Sequence, residues 1–318
     1  MNAEGRAGRE WPAVTGLFLL LLLLAVVQPL ILVAVPLALM ALVRRPLHLP
    51  SLGVAGVLLW LTFSNGDGSG IWFLERGWAL LAGGIFAVLA RWKEGGGVLP
   101  RGLLAVAGAG LATCVVFAIW PQGWLVADWL LTHRIGSGVA VGVQGLEAVA
   151  PFAMADGGLR TAGQQAADIQ AAAAPALLGL STLTALGLAW WADHRLLQGK
   201  SGSLAPLTAF RFHDGLLGIL LAGLALVTWT AVTGGDSGEP AFRLGVNTLA
   251  FMGALYALRG LGIFLALTGG VSWLGGIALG LALLVAAPFV AVASLALGLA
   301  DTWVDLRGRY GANDNHSL

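Results

Sequence analysis

The chain has 318 residues, 58% of them hydrophobic and only 10% charged, with a formal net charge of +1. A soluble domain this apolar could not cover its own surface, and ordinary soluble domains are about 25% charged. The near-neutral balance also excludes the concentrated basic face that nucleic acid demands.

A mean hydropathy of +0.85 leads to an all-α fold class, a polytopic bundle of transmembrane helices. One crossing takes about 20 apolar residues, and runs with few or no charges occur near 13–43, 52–64, 71–90, 102–120, 175–192, 213–233, 244–268 and 271–300. That makes about eight apolar segments. The first and last are too long for one simple crossing and are broken by proline, at Pro29 and Pro36 and at Pro288. Each is therefore expected as a kinked helix or a hairpin, because proline frees a backbone carbonyl and bends the rod. Arg6 and Arg9 precede the first run, but it is longer than a signal-peptide core and no small-x-small cleavage site follows, so a retained segment is expected.

Four regions result: N-terminal transmembrane segments in 1–120, a Gly/Ala/Gln-rich extracytoplasmic connection in 121–174, C-terminal transmembrane segments in 175–306 and a polar tail in 307–318. Within the connection, Leu159 to Ala173 reads as a helix whose apolar face (Leu159, Ala162, Ala166, Ile169) is too narrow for a membrane anchor. Arg44 and Arg45, then Arg91, Lys93 and Arg101, then Arg195, Lys200 and Arg211 mark three basic loops. The positive-inside rule places these in the cytoplasm. Trp92 and Trp190–Trp191 then fall at cytoplasmic ends and Trp72, Trp120 and Trp124 at outer ends, as an interfacial belt would.

Motifs for chemistry are missing. There is no phosphate-binding GxxxxGK[ST], no HExxH among the five histidines, no CxxC around the single Cys114 and no serine-hydrolase elbow. Neither a cofactor, nor a metal, nor an enzymatic activity is expected. The 47 glycines read instead as helix-packing positions, in Gly276-x-x-x-Gly280 and in the series Gly262, Ala266, Gly270.

Charges inside apolar runs carry more information, since a charge at mid-membrane costs at least ~2.5–3.5 kcal/mol. Arg259 lies in LYALRGLGIF, with Asn247 near the outer start of the same segment. Arg211, His213 and Asp214 open the segment at 213–233, and Glu75–Arg76 lies at the outer start of 71–90. In LGLADTWVDLR, Asp301 and Asp305 are four apart and share a helix face. Carboxylates at a helix C-terminus oppose its dipole and call for cations, with Arg307, Arg309, Arg211 and Arg259 as candidates. Arg259 has three readings: snorkelling to the interface, pairing with Asp301 or Asp305, or holding a substrate anion. Arg259, Asn247, Asp301, Asp305, Arg211 and Asp214 together form the candidate ligand-binding or ion-pair set.

The runs Asn247-Thr248-Leu249, Leu258-Arg259-Gly260-Leu261 and LGLADTWVDLR, with WWADHR closing Leu178–Arg195, resemble the YybS-like membrane proteins of bacteria. Arg259 stands where that pattern has a polar, usually uncharged residue. The resemblance implies about eight transmembrane helices in the bacterial inner membrane, and it supplies no catalytic residue. At the level of fold it is distantly similar to membrane subunits of vitamin importers and to a rod-shape membrane protein, a weak warrant for function. The expected function is small-molecule binding in a transport-related role. The alternative is a scaffold or assembly subunit of a cell-envelope complex, its partners the lipid bilayer and a membrane protein or a second copy of the chain.

Overall fold

The computed structural model describes residues 29–43, 49–64, 68–92, 97–149, 164, 167–197, 207, 210–234, 240–267, 275, 280 and 287–305. The described residues contain helices and no strand. They divide into two compact units, those within Leu24–Gly202 and those within Ser203–Leu318. Five helical stretches are long and apolar enough to cross a membrane: Gly70–Trp92, Val98–Ile119, Ala174–Arg195, Asp214–Val232 and Pro240–Leu267.

The N-terminal unit contains α1 (Pro29–Val43), α2 (Leu49–Ser64), α3 (Gly70–Trp92), α4 (Val98–Ile119), α5 (Pro121–Val149) and α6 (Ala174–Ala192), the last extended by a π-turn at Asp193–Leu197. α1 is continuous through Pro36. The ring is accommodated from across the interface, because Gly83 of α3 closes on it. A Cβ at Gly83 would lie 3.0 Å from Pro36 Cγ and 3.2 Å from its Cα.

α3 shows how sequence period sets burial. Its buried residues are Glu75, Arg76, Ala79, Ala82, Gly83, Phe86 and Ala87, which recur every three to four positions and so form one face. The core joins Met40, Phe86, Ala87, Ala105, Leu186 and Ala189, from α1, α3, α4 and α6. α6 is apolar on every side and is the most buried of the long helices. Its hydroxyls, with no water to turn to, donate back to carbonyls one turn earlier: Thr182 to Leu178 at 2.7 Å and Thr184 to Leu180 at 2.9 Å. Trp78 Nε1 then donates to Thr182 Oγ1 at 2.8 Å, joining α3 to α6.

The C-terminal unit contains α7 (Leu217–Val232), entered through a 3-10 turn at Asp214–Leu216, α8 (Pro240–Leu267) and α9 (Ala287–Val304). α8 packs on both of the others. Glycines set those contacts: Gly223 of α7 faces Gly245 and Thr248 of α8, and a Cβ at Gly245 would be 3.1 Å from Gly223 O. The approach of α8 to α9 is closer still. A Cβ at Gly260 would run into the Ser294 carbonyl, and one at Gly298 into the Tyr256 carbonyl.

Several expectations change. α9 runs unbroken from Ala287 through Pro288 to Val304, and the residues just before it, 281–286, lie outside those described. Close packing falls on Gly260 and Gly298, while Gly280 has nothing within 4 Å. Gly262 is buried on α8, while Gly270 and Gly276 lie outside the described residues, as do residues 13–28, most of 271–286, Leu159–Gly163 and the 307–318 tail. Residues 121–149 of the polar connection form one 29-residue helix. In the connection's last part, Ala167 packs with Ile135 and Ala174, while Ile169 is exposed. The tryptophans divide: Trp92, Trp120, Trp229 and Trp303 are exposed, whereas Trp72, Trp78 and Trp190 have partners inside the N-terminal unit.

Gly260→Ala and Gly298→Ala should each destabilise the C-terminal unit by about 1–3 kcal/mol or more, because the helices must separate to admit the methyl group. Gly253→Ala, with nothing within 4 Å, should be neutral or slightly stabilising. Thermal unfolding of the three variants in one detergent checks the order.

Candidate functional site

Two groups of charged side chains are built into the helices, one in each unit.

In the C-terminal unit the group centres on Arg259. It lies on the buried face of α8 with Met252, Leu255, Tyr256 and Ile263, and its side chain is 0% exposed. It therefore does not snorkel. Its Nε donates to Asp301 Oδ2 at 3.0 Å and its Nη2 lies 2.9 Å from the same oxygen. Its Nη1 donates to Asp214 Oδ1 at 2.7 Å. The Phe212 ring lies 5.5 Å from the guanidinium carbon and meets Tyr256 edge-to-face at 5.0 Å.

Position on the helices explains the choice of partners. Asp214 opens the turn leading into α7, where the helix dipole favours an anion. Asp301 occupies the last turn of α9, where the dipole disfavours one, and Arg259 supplies the compensation. Asp305 follows that helix with a φ of 44°, a left-handed conformation that Asp tolerates and that ends helices. Its N–H reaches the Asp301 carbonyl at 3.3 Å, and its carboxylate accepts from Arg211 Nη2 at 2.9 Å. The LGLADTWVDLR stretch thus places one aspartate inside the unit and uses the other to stop the helix.

The structure brings together five of the six expected residues. Asn247 is separate, roughly 18 Å from Arg259 along the helix axis, and its amide donates to the Arg243 carbonyl at 2.8 Å. His213 joins no charge pair and instead accepts from the Gly215 N–H at 3.0 Å. The network's charges are met within it. Asp301 Oδ1 and Tyr256 Oη are buried with no hydrogen bond among the described residues, which adds to the cost of the arrangement.

The second group was read in the sequence only as charges near an outer helix end. In the N-terminal unit Glu75 and Arg76 are 2% and 7% exposed. Arg134 of α5 reaches Glu75 Oε1 at 2.6 Å, and Arg76 Nη1 lies 4.0 Å from Glu75 Oε2. Arg76 Nε donates to the Thr62 carbonyl at 2.8 Å and Nη1 to the Trp72 carbonyl at 3.3 Å, with the guanidinium 4.2 Å above the Trp72 ring. The Thr62 carbonyl is close to the end of α2, where helix carbonyls lose their intrahelical donors. These charges, with Thr62 and Ser69, line a cleft of about 630 Å³ whose other described walls are apolar, including Leu30, Ala34 and Leu37 of α1 and Leu58 and Leu61 of α2. That size falls in the range of small-molecule sites. The signal available in the sequence was the adjacent Glu75–Arg76 on the Ala79/Gly83/Phe86 face. Nothing in the sequence linked Arg134 to it, 59 positions later.

Among the described residues, no group of His, Cys, Asp or Glu could hold a metal ion. A shallow depression of about 460 Å³ on α7 is lined by Leu221, Leu224, Ala225, Thr228, Trp229 and Val232 and carries no charge. Among the described residues, geometry and composition together define an all-helical fold with five potential membrane spans. Comparison with protein-family models, with curated proteins and with solved structures returns no match.

Removing one member of the buried pair should be severe. Asp301→Ala or Arg259→Leu should cost about 3–5 kcal/mol, the penalty for leaving the other charge uncompensated. Arg211→Ala, which breaks a half-exposed pair, should cost at most about 1 kcal/mol. The double variant Arg259→Leu/Asp301→Leu should recover much of the loss, and equilibrium unfolding of the four proteins measures it.

Proposed function

We propose that the chain is a multi-pass membrane protein of about eight transmembrane helices that binds a small molecule in a transport-related role, without enzymatic activity. The reading is carried by the cleft of the N-terminal unit, where buried Glu75 and Arg76 face an apolar volume large enough for a ligand. Cofactor-independent binding needs little more than such a pocket with a few convergent polar groups.

The five long spans support the membrane reading. Three shorter apolar helices, Leu30–Val43, Leu52–Ser64 and Phe289–Val304, bring the number of apolar helices among the described residues to eight. With the basic stretches around Arg44, Arg91 and Arg195 in the cytoplasm, the end of α3 that bears Glu75 faces the opposite side, so the cleft lies at the outer end of its helices. A bacterial inner-membrane location follows from the YybS-like resemblance. The charged group around Arg259 serves structure in this reading, because its guanidinium is already spent on two carboxylates.

α7 supports a second reading, as a scaffold or assembly subunit. It is the least buried of the long helices, and its uncharged face at Leu221, Leu224, Trp229 and Val232 suits a partner helix.

Purification under native conditions followed by mass spectrometry separates the two readings. A binding protein should retain a small molecule that is lost when Ala34→Trp fills the cleft, with the melting temperature unchanged or raised. A scaffold should retain one stoichiometric protein partner, and Ala34→Trp should not release it.

A further inference from the structure

We infer that the N-terminal cleft takes a free single-chain amphipathic anion, a medium-chain carboxylate, with its head at Arg76 and Arg134 and its alkyl chain between α1 and α2. The inference rests on the binding role proposed above and assigns the ligand's chemistry.

Charge is the first ground. The described lining residues present two guanidinium groups against one carboxylate, Glu75. That carboxylate lies 2.6 Å from Arg134 and 4.0 Å from Arg76. The two hydrogen bonds of Arg76 go to backbone carbonyls, of Thr62 and Trp72. Those bonds satisfy donors without neutralising charge. Its Nη2 group makes no hydrogen bond among the described residues, so donors on a nearly buried guanidinium remain for an anion. A positive charge held beside apolar walls is costly unless an anion meets it, and a planar guanidinium suits a carboxylate.

Shape is the second ground. From Leu30 to Leu37 the α1 wall runs roughly 10 Å at 1.5 Å per residue, and Leu58 and Leu61 of α2 face the same space. One leaflet of hydrocarbon is roughly 15 Å deep, half of a ~30 Å core. Over the described residues the apolar wall is therefore shorter than a lipid acyl chain and fits a medium one. Among the described residues the cleft pairs a polar end that carries surplus positive charge with an apolar groove of limited length, which is the complement of such a carboxylate.

The test uses the full chain in phosphatidylcholine nanodiscs and radiolabelled decanoate, with uptake by empty discs subtracted. Saturable decanoate binding is expected, with decan-1-ol and decyltrimethylammonium at least tenfold weaker. Arg134→Gln should weaken decanoate at least tenfold, and Glu75→Gln should tighten it severalfold by removing the competing carboxylate. Opposite signs are the decisive readout, because damage to the fold would weaken binding in both variants. Equal binding of decanol, or loss of binding in both variants with melting temperatures preserved, would overturn the inference. Loss of decanoate binding on moderate replacement of phosphatidylcholine by phosphatidylglycerol would also overturn it and assign the site to a lipid headgroup. A variant that fails to fold is replaced by Arg134→Lys, which keeps the charge and should retain most of the binding. If Ala34→Trp releases a retained compound that is not an anionic amphiphile, the ligand class fails and the binding role stands. If it releases nothing and decanoate does not bind, both fail.

Discussion

A charge placed among apolar helices must be answered where it stands, and much of this molecule's architecture follows from that. Bulk water offers a carboxylate or guanidinium solvation that an interior cannot replace without a partner. Six charged residues are nevertheless buried among those described: Glu75, Arg76, Arg101, Asp193, Arg259 and Asp301. Each lies on a helix or its terminal turn and has a charged, backbone or aromatic contact. Arg101, for example, places its guanidinium 5.0 Å from the Trp190 ring at the end of α6. That contact gives WWADHR a structural task, since Trp190 also packs on Phe86 and stacks near His194.

The Arg259 network shows how close packing and charge pairing depend on each other. Arg259 is followed directly by Gly260, and Asp301 comes three residues after Gly298. These two glycines let the α8 and α9 backbones touch. Side chains at either position would push the helices apart and lengthen the 2.9–3.0 Å contacts between Arg259 and Asp301. The apolar interface gives the pair its low-dielectric setting, and the pair gives the interface a register. Without a hydrophobic driving force between lipid-embedded helices, such register devices carry weight that side-chain volume alone does not.

Much of this was legible in the sequence, for reasons that can be named. The apolar runs marked the helices because length and hydropathy are local properties. Asp301 and Asp305 announced a need for cations because dipole and spacing are local too, and Arg259 was among the candidates. What sequence could not decide was which aspartate would be internal. The answer depends on Asp305 leaving the helix at a positive φ, and on α8 coming near enough for Arg259 to reach back. The cleft was harder still. Arg134 belongs to a stretch whose composition reads as a polar connection, and only the packing of α5 on α3 brings it to Glu75.

The two charged groups differ in kind, and the difference lies between satisfying hydrogen bonds and neutralising charge. Arg259 does both, because its partners are carboxylates. Arg76 does chiefly the first: a carbonyl accepts its N–H and an indole ring lies beneath it, but neither carries a formal charge. The Trp72 ring offers a quadrupole, worth about 0.5–2 kcal/mol, well short of a counter-ion in an apolar setting. A network whose cation and carboxylates pair with one another adds register and has its charges met internally. A guanidinium whose hydrogen bonds go to neutral groups, with its carboxylate neighbour 4.0 Å away, is answered less completely than Arg259, and in this the two groups differ.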